Sequence, residues 1–155
     1  MKARDLMTSP AVTCNVNDSL EVAAKLMWDH DCGAIVAVRE DGKVGGVITD
    51  RDICMAAFTQ GKVLDQMLVN SAMAGHVLTA RPDTSIGEIE NMMAERQIRR
   101  IPIVDDNNLP VGLVSLNDLA IESVQPDTRL KNPFAKIAHT VAAICRRRIP
   151  KQQAA

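Results

Sequence analysis

The chain has 155 residues, 46% hydrophobic and 24% charged, with a formal net charge of −1, which suits a soluble globular protein with a real core. One Trp, two Phe and no Tyr leave Ala, Val, Ile, Leu and Met to fill that core, and exclude aromatic stacking platforms for single-stranded nucleic acid. Cysteines 14, 32, 54 and 145 show no CxxC or zinc-finger spacing, and no apolar run is long enough to span a bilayer, so a reduced cytoplasmic protein without signal peptide or metal site is expected.

Charge is unevenly spread. Residues 125–155 hold seven basic residues and one acidic residue, Asp127, which leaves eleven basic and eighteen acidic residues in the first 124. The pattern is an acidic body with a basic tail.

Taken in order, the chain reads twice through one unit. A short strand at Ala11–Cys14 leads to Asp18-Ser19, which caps a helix from about Ser19 to His30. Its apolar positions, Leu20, Ala23, Ala24, Met27 and Trp28, recur at helical spacing. Strand Ala34–Val38 follows, then the hairpin signal Glu40-Asp41-Gly42, strand Val44–Ile48, and a helix from Asp50 to Phe58. Thr59-Gln60-Gly61 marks a stop, and Lys62–Ala72 is a connector.

Sliding the sequence by 66 residues aligns 7–53 with 73–119 without a gap. Eight identities result: Met7/Met73, Thr13/Thr79, Ser19/Ser85, Met27/Met93, Ile35/Ile101, Val38/Val104, Gly46/Gly112 and Asp52/Asp118. The second unit therefore predicts a strand at Val77–Thr79, a helix from Ser85 to about Gln97, strand Ile101–Val104, a turn at Asp105–Asn108, strand Val111–Val114, and a helix from Leu116 to about Ser123. The fold class is α/β (α+β), two tandem β-α-β-β-α repeats. The expected divisions are 1–61 for the first repeat, 62–72 for the connector, 73–124 for the second repeat and 125–155 for the tail. In the tail, Asn132-Pro133 opens an amphipathic helix with Phe134, Ile137, Ala138, Val141, Ile144 and Cys145 on one stripe. Arg146-Arg147-Arg148 stand in its last turn.

The stretches Gly46-Val47-Ile48-Thr49-Asp50-Arg51-Asp52 and Gly112-Leu113-Val114-Ser115-Leu116-Asn117-Asp118 carry the chemistry. In each, a buried strand runs into a helix with a hydroxyl and a carboxylate three residues apart. Free N–H groups and partial positive charge at a helix N-terminus suit a phosphate, and a carboxylate can accept from vicinal ribose hydroxyls. The same spacing is also a capping box, in which those side chains satisfy the helix's own N–H groups.

With Asp5-Leu6-Met7-Thr8, Gly33-Ala34-Ile35 and Arg99-Arg100-Ile101-Pro102-Ile103-Val104, these motifs resemble a pair of CBS domains over roughly residues 1–124. The resemblance implies a Bateman module: repeats packed about a pseudo-twofold axis, often a homodimer, binding an adenosyl ligand such as AMP, ADP or ATP between the repeats. It implies that Asp52 and Asp118 hold ribose hydroxyls and that Thr49 and Ser115 donate to phosphate. Val12, Val77, Ile35, Ile101 and Pro102 would sandwich the adenine, and Arg99 and Arg100 would face the phosphates. Asp50, Arg51 and Asn117 belong to the same stretches, and Arg51 could serve as the first repeat's missing base. The first repeat departs from the second in having Gly33-Ala34 for Arg99-Arg100 and Val36 for Pro102, so the corner at Ser115 and Asp118 is expected to be the better site.

His30, His76 and His139 read as solvated, and Trp28, Met27, Met92 and Met93 as core or dimer contact. No GxSxG, Walker lysine, HExxH or Cys–His pairing is present, so no enzyme is expected. The function expected is a stand-alone regulatory module that senses an adenosyl ligand and acts on a protein partner. The alternative is a ligand-free dimeric scaffold that docks to a partner or nucleic acid through its tail.

Overall fold

The structure, a computed structural model, describes residues 1–122; the expected tail helix and its arginines lie outside these residues. The elements are α1 (Ala3–Leu6), β1 (Thr13–Asn15), α2 (Leu20–Asp29), β2 (Ala34–Val38), β3 (Val44–Thr49), α3 (Asp50–Gln60), α4 (Ile86–Arg96), β4 (Arg100–Val104), β5 (Pro110–Ser115) and α5 (Leu116–Glu122). The connector forms two 3₁₀ turns, Leu64–Gln66 and Val69–Ser71. A first compact unit runs to Val114, and a second starts at Ser115.

In the first repeat β1 lies parallel to β2, and β2 antiparallel to β3. The crossover that a parallel pair requires is α2. Leu20, Ala23 and Met27 of α2, Ile35 and Ala37 of β2, Ile48 of β3, and Ile53 and Ala56 of α3 form one core with Met67 and Val69 of the connector. Each fully buried Leu or Ile there contributes about 1.5–3 kcal/mol. In the second repeat β4 and β5 pair in a separate sheet.

The repeat signals map onto equivalent geometry. Ser19 and Ser85 cap α2 and α4, and Ser85 completes a full box with Glu88. Asp31 and Gln97, 66 residues apart, both take the left-handed conformation (φ 47 and 53) just after these helices. Gly42 and Asn108, at the same offset, do so in the two hairpin turns (φ 77 and 64). Gly61 ends α3 at φ 61, the usual service of glycine at a helix end.

Residues 77–79 do not form the expected strand. In the first repeat Val36 N–H donates to Val12 O at 3.0 Å. Pro102 occupies the equivalent place and has no N–H to give. Pairing shrinks to one parallel bridge, Ala80 with Ile103, held by Ala80 N–H to Pro102 O at 3.0 Å and Val104 N–H to Ala80 O at 2.9 Å.

The segments that lead into the repeats are exchanged. Residues 1–8 pair with the second repeat: Ala3 N–H donates to Thr84 O at 2.8 Å, and Thr8 bridges Leu113. Lys2 and Arg4 both reach the Asp83 carboxylate. Residues 67–74 pair with the first repeat, where Leu20 N–H donates to Met67 O at 2.8 Å and Ala74 bridges Val47. Two identical positions of the repeat are glycine for this reason. A β-carbon on Gly46 would stand 2.6 Å from both Ala74 O and Met73 Sδ, and one on Gly112 would stand 2.5 Å from Met7 Sδ. The short helix α1, with no signal in the sequence, lies in the exchanged segment.

Candidate functional site

Strand β3 is extended through Thr49 (φ −118, ψ 161) and turns directly into α3. Asp52 N–H donates to Thr49 Oγ1 at 3.1 Å. In return Asp52 Oδ2 accepts from Thr49 N–H at 2.9 Å and from Thr49 Oγ1 at 2.7 Å. The capping box is complete, but all of its carboxylate bonds fall on Oδ2. Among the described residues Asp52 Oδ1 accepts no hydrogen bond, so one carboxylate can both cap the helix and meet a ligand hydroxyl.

The corner at Ser115 repeats this geometry. Asp118 Oδ2 accepts from Ser115 N–H at 2.7 Å and from Ser115 Oγ at 2.6 Å, while Asp118 N–H donates to Ser115 Oγ at 3.4 Å. Asn117 beside it is exposed.

A cavity of ≈ 880 Å³ opens between the two repeats at the first corner. It collects Thr49 and Asp52 with Val77, Arg99 and Arg100 from the candidate residues. Val44, Val47, Ala74, Leu78 and Ile98 give it apolar walls. Ile35, Ile101 and Pro102 cannot form an adenine sandwich in it, because strands β2 and β4 bury all three fully. Val12 instead packs against the core of the first repeat. Asp50 lines a different groove, on α2 and α3, and accepts from Arg51 N–H through Oδ1 at 2.7 Å; Arg51 is exposed.

The cavity is strongly cationic. Arg39, Lys43, Arg96, Arg99 and Arg100 line it against the single carboxylate of Asp52, and His76 borders it too. Lys43 pairs with Asp41, but none of the four arginines forms a salt bridge among the described residues. Burial, then the neighbouring Arg99, pushes the pKa of Arg100 down, while Asp50, Cys32 and Asp52 push it back. A guanidinium stays charged regardless, so Arg100 is a half-buried cation whose charge is incompletely met, and an anion beside it would be stabilised.

Chain order explains how Arg100 comes to the first corner. The left-handed turn at Gln97 sends the chain from α4 into Arg99 and β4. At the same place in the first repeat stand Gly33 and Ala34. A β-carbon on Gly33 would lie 3.4 Å from Arg100 Nη2 and 3.1 Å from Asp50 Oδ2, so the missing side chain at 33 leaves room for the arginine of the other repeat. Sequence reasoning missed Arg39, Lys43 and Arg96. The first two flank a hairpin whose turn signal accounted for the stretch, and Arg96 stands exposed in the last turn of α4. His76, expected on the surface, is exposed and also borders the cavity.

Two β-α-β-β-α-type repeats with a cationic cleft between them define a tandem-repeat module. The chain belongs to the CBS domain family, whose sequence profile matches residues 3–58 and 69–131. The CBS domain-containing protein YhcV of Bacillus subtilis is 39% identical over 125 residues, covering 81% of this chain and 87% of that protein. Hypoxic response protein 1 of Mycobacterium tuberculosis is 34% identical over 123 residues, 76% of this chain and 82% of that one. Among solved structures, the CBS domain pair of protein MJ0100 in complex with 5′-methylthioadenosine and S-adenosyl-L-methionine superposes with a TM-score of 0.70. It shares 29% identity over 77% of this chain and 93% of its own. Hypoxic Response Protein I with two coordinated zinc ions also gives a TM-score of 0.70 at 29% identity, over 77% and 97% of the two chains. Among the described residues here, no group of three or more His, Cys, Asp or Glu is placed to hold a metal, and no helix is long and apolar enough to cross a membrane.

Proposed function

We propose that this protein is a regulatory module that binds an adenosine-containing ligand in the cleft between its repeats, with AMP, ADP or ATP as the class of ligand. The observation that carries the reading is the meeting of the Thr49–Asp52 corner with Arg99 and Arg100 in one cavity. Asp52 Oδ1 accepts from the ribose, Thr49 and the first turn of α3 meet a phosphate, and the two arginines close on it from the other repeat. Val47, Val77 and Ile98 offer apolar contact to a base. The basic loop shares its cavity with Thr49 and Asp52, so the reading centres there, and the Ser115–Asp118 corner is a second place for the same chemistry. The structural relative solved with two adenosyl compounds supports this ligand class.

The module binds and does not catalyse: its polar side chains are of the types that hold hydroxyls and phosphates. Ligand that bridges the repeats favours one arrangement of them by its difference in affinity for the two. A homodimer carries that change outward to a protein partner. Trp28 of α2 and Phe58 of α3 are 86% and 82% exposed, which supports a face covered by a second copy.

The test is thermal unfolding with and without millimolar adenosine, AMP, ADP, ATP and S-adenosylmethionine. A ligand present at a hundred times its Kd stabilises by about 2.7 kcal/mol. A rise in Tm with one of these compounds, lost in Asp52→Ala, supports the reading. An unchanged Tm across the panel rejects it and favours the ligand-free scaffold.

A further inference from the structure

We propose that the cavity holds a second phosphate subsite at Arg39 and Lys43, and that its ligand is a dinucleotide carrying phosphates on both sides of a nucleoside. The proposal rests on the adenosyl reading and narrows it. Strand β3 runs along the cavity from Val44 to Thr49, about 17 Å at roughly 3.4 Å per residue. Thr49, with Arg99 and Arg100, makes one end cationic. Arg39 and Lys43 make the other end cationic, and apolar Val47 and Val77 lie on the walls between. A mononucleotide anchored by its phosphate at the corner engages one of these ends.

The stem of Arg39 lies against the cavity wall. Its Cγ would lie 3.1 Å from a β-carbon on Gly45, a cavity-lining residue, so its stem lies over the bare backbone of β3. The hairpin does not need this side chain. Its turn is closed by Gly42 N–H to Arg39 O and Arg39 N–H to Lys43 O, both at 2.9 Å, and by Lys43 N–H to Asp41 Oδ1 at 3.1 Å. The second repeat has Asp105 at the equivalent position, where its Oδ1 closes the turn by accepting from Asn107 N–H and Leu109 N–H at 2.9 Å each. There Leu109 replaces Lys43. The basic pair is thus no part of the repeat's own architecture. The Lys43–Asp41 pair is half exposed, and such a pair is weak enough to yield to a phosphate.

Calorimetric titration of the full chain with AMP, ATP and 5′-phosphorylated diadenylate (pApA), repeated on the Arg39→Gln/Lys43→Gln double variant, tests this. We expect pApA to bind at least tenfold more tightly than AMP, and the double variant to erase that advantage while leaving AMP affinity unchanged. Equal affinity for pApA and AMP in the parent overturns the subsite but leaves the adenosyl reading intact. A loss of ATP affinity in the double variant as large as that of pApA makes the hairpin end a site for a polyphosphate chain and overturns the dinucleotide. Binding of none of the three overturns the dinucleotide subsite, and the adenosyl reading falls with it only if ADP and S-adenosylmethionine also fail to bind. Both substituted residues are exposed, and an unchanged circular dichroism spectrum confirms that the variant is folded.

Discussion

Asp52 binds Thr49 through one carboxylate oxygen only. Oδ2 accepts from the Thr49 amide and hydroxyl, and Oδ1 accepts from nothing among the described residues. Capping and ligand recognition, which compete if a carboxylate has a single task, are therefore compatible in one side chain, and the two tasks can be separated by substitution. Asp52→Ala removes both, so it should cost about 1 kcal/mol of stability and lower adenosyl affinity by at least tenfold. Asp52→Asn keeps an oxygen for the cap and loses the charge, so denaturant unfolding should show a smaller loss while ligand affinity still falls. Equal effects of the two variants on both quantities would contradict the division of labour.

Gly46 and Gly112 admit the exchanged segments. Gly46→Ala sets a methyl 2.6 Å from a backbone carbonyl oxygen that cannot swing away as a side chain can. Gly112→Ala meets mainly the flexible Met7 thioether, with Thr8 O at 3.0 Å. Overpacking of this kind costs about 1–3 kcal/mol, and Gly46→Ala should be the worse of the two by urea midpoint. The opposite order would mean that the 67–74 segment shifts more easily than residues 1–8.

The exposed aromatic pair makes its own prediction. Replacing Trp28 and Phe58 together by Ser removes the largest apolar groups from the α2–α3 face and takes nothing from the core. Sedimentation should give a dimer for the parent and a monomer for the variant, with the circular dichroism spectrum unchanged. A variant dimer of undiminished affinity would remove this face from the account.

Thiol reactivity should separate the cysteines by burial. Burial, aided by Asp18, pushes the Cys14 thiol up to about 11, whereas Cys54 is exposed. An aromatic disulfide reagent at pH 8 should label Cys54 quickly and spare Cys14 until the protein unfolds, since the thiolate is the reacting form. The raised pKa means that the folded state holds the Cys14 proton more tightly than the unfolded state does. Its contribution to stability is complete below pH 9 and fades as pH rises towards about 11. In Cys14→Ala, unfolding should lose that alkaline slope.

Repetition made much of this fold legible before any coordinate. Eight identities at one offset located α2 with α4, β2 with β4 and both hydroxyl–carboxylate corners, because caps, left-handed turns and buried strands each demand particular residues locally. Pro102 was also visible, but its consequence, the loss of the 77–79 strand, depends on which carbonyl its absent N–H would have met. The exchange of leading segments was hidden because backbone hydrogen bonds such as Ala3 N–H to Thr84 O carry no side-chain signature. The cavity was half legible. Thr49, Asp52, Arg99 and Arg100 stand out by type, but only the packing of the repeats joins the arginines of one to the corner of the other. Ile35 and Ile101 misled because apolar strand residues look alike whether they face a ligand or a core.

The most direct test of the central claim is calorimetric titration of the purified protein with AMP, ADP, ATP and S-adenosylmethionine, alongside Asp52→Ala and Asp118→Ala. The account predicts saturable heat at roughly micromolar Kd, about −8 kcal/mol, for at least one of these compounds, abolished by Asp52→Ala. Binding that survives Asp52→Ala undiminished, or no heat from the folded protein with any of the four, would contradict it.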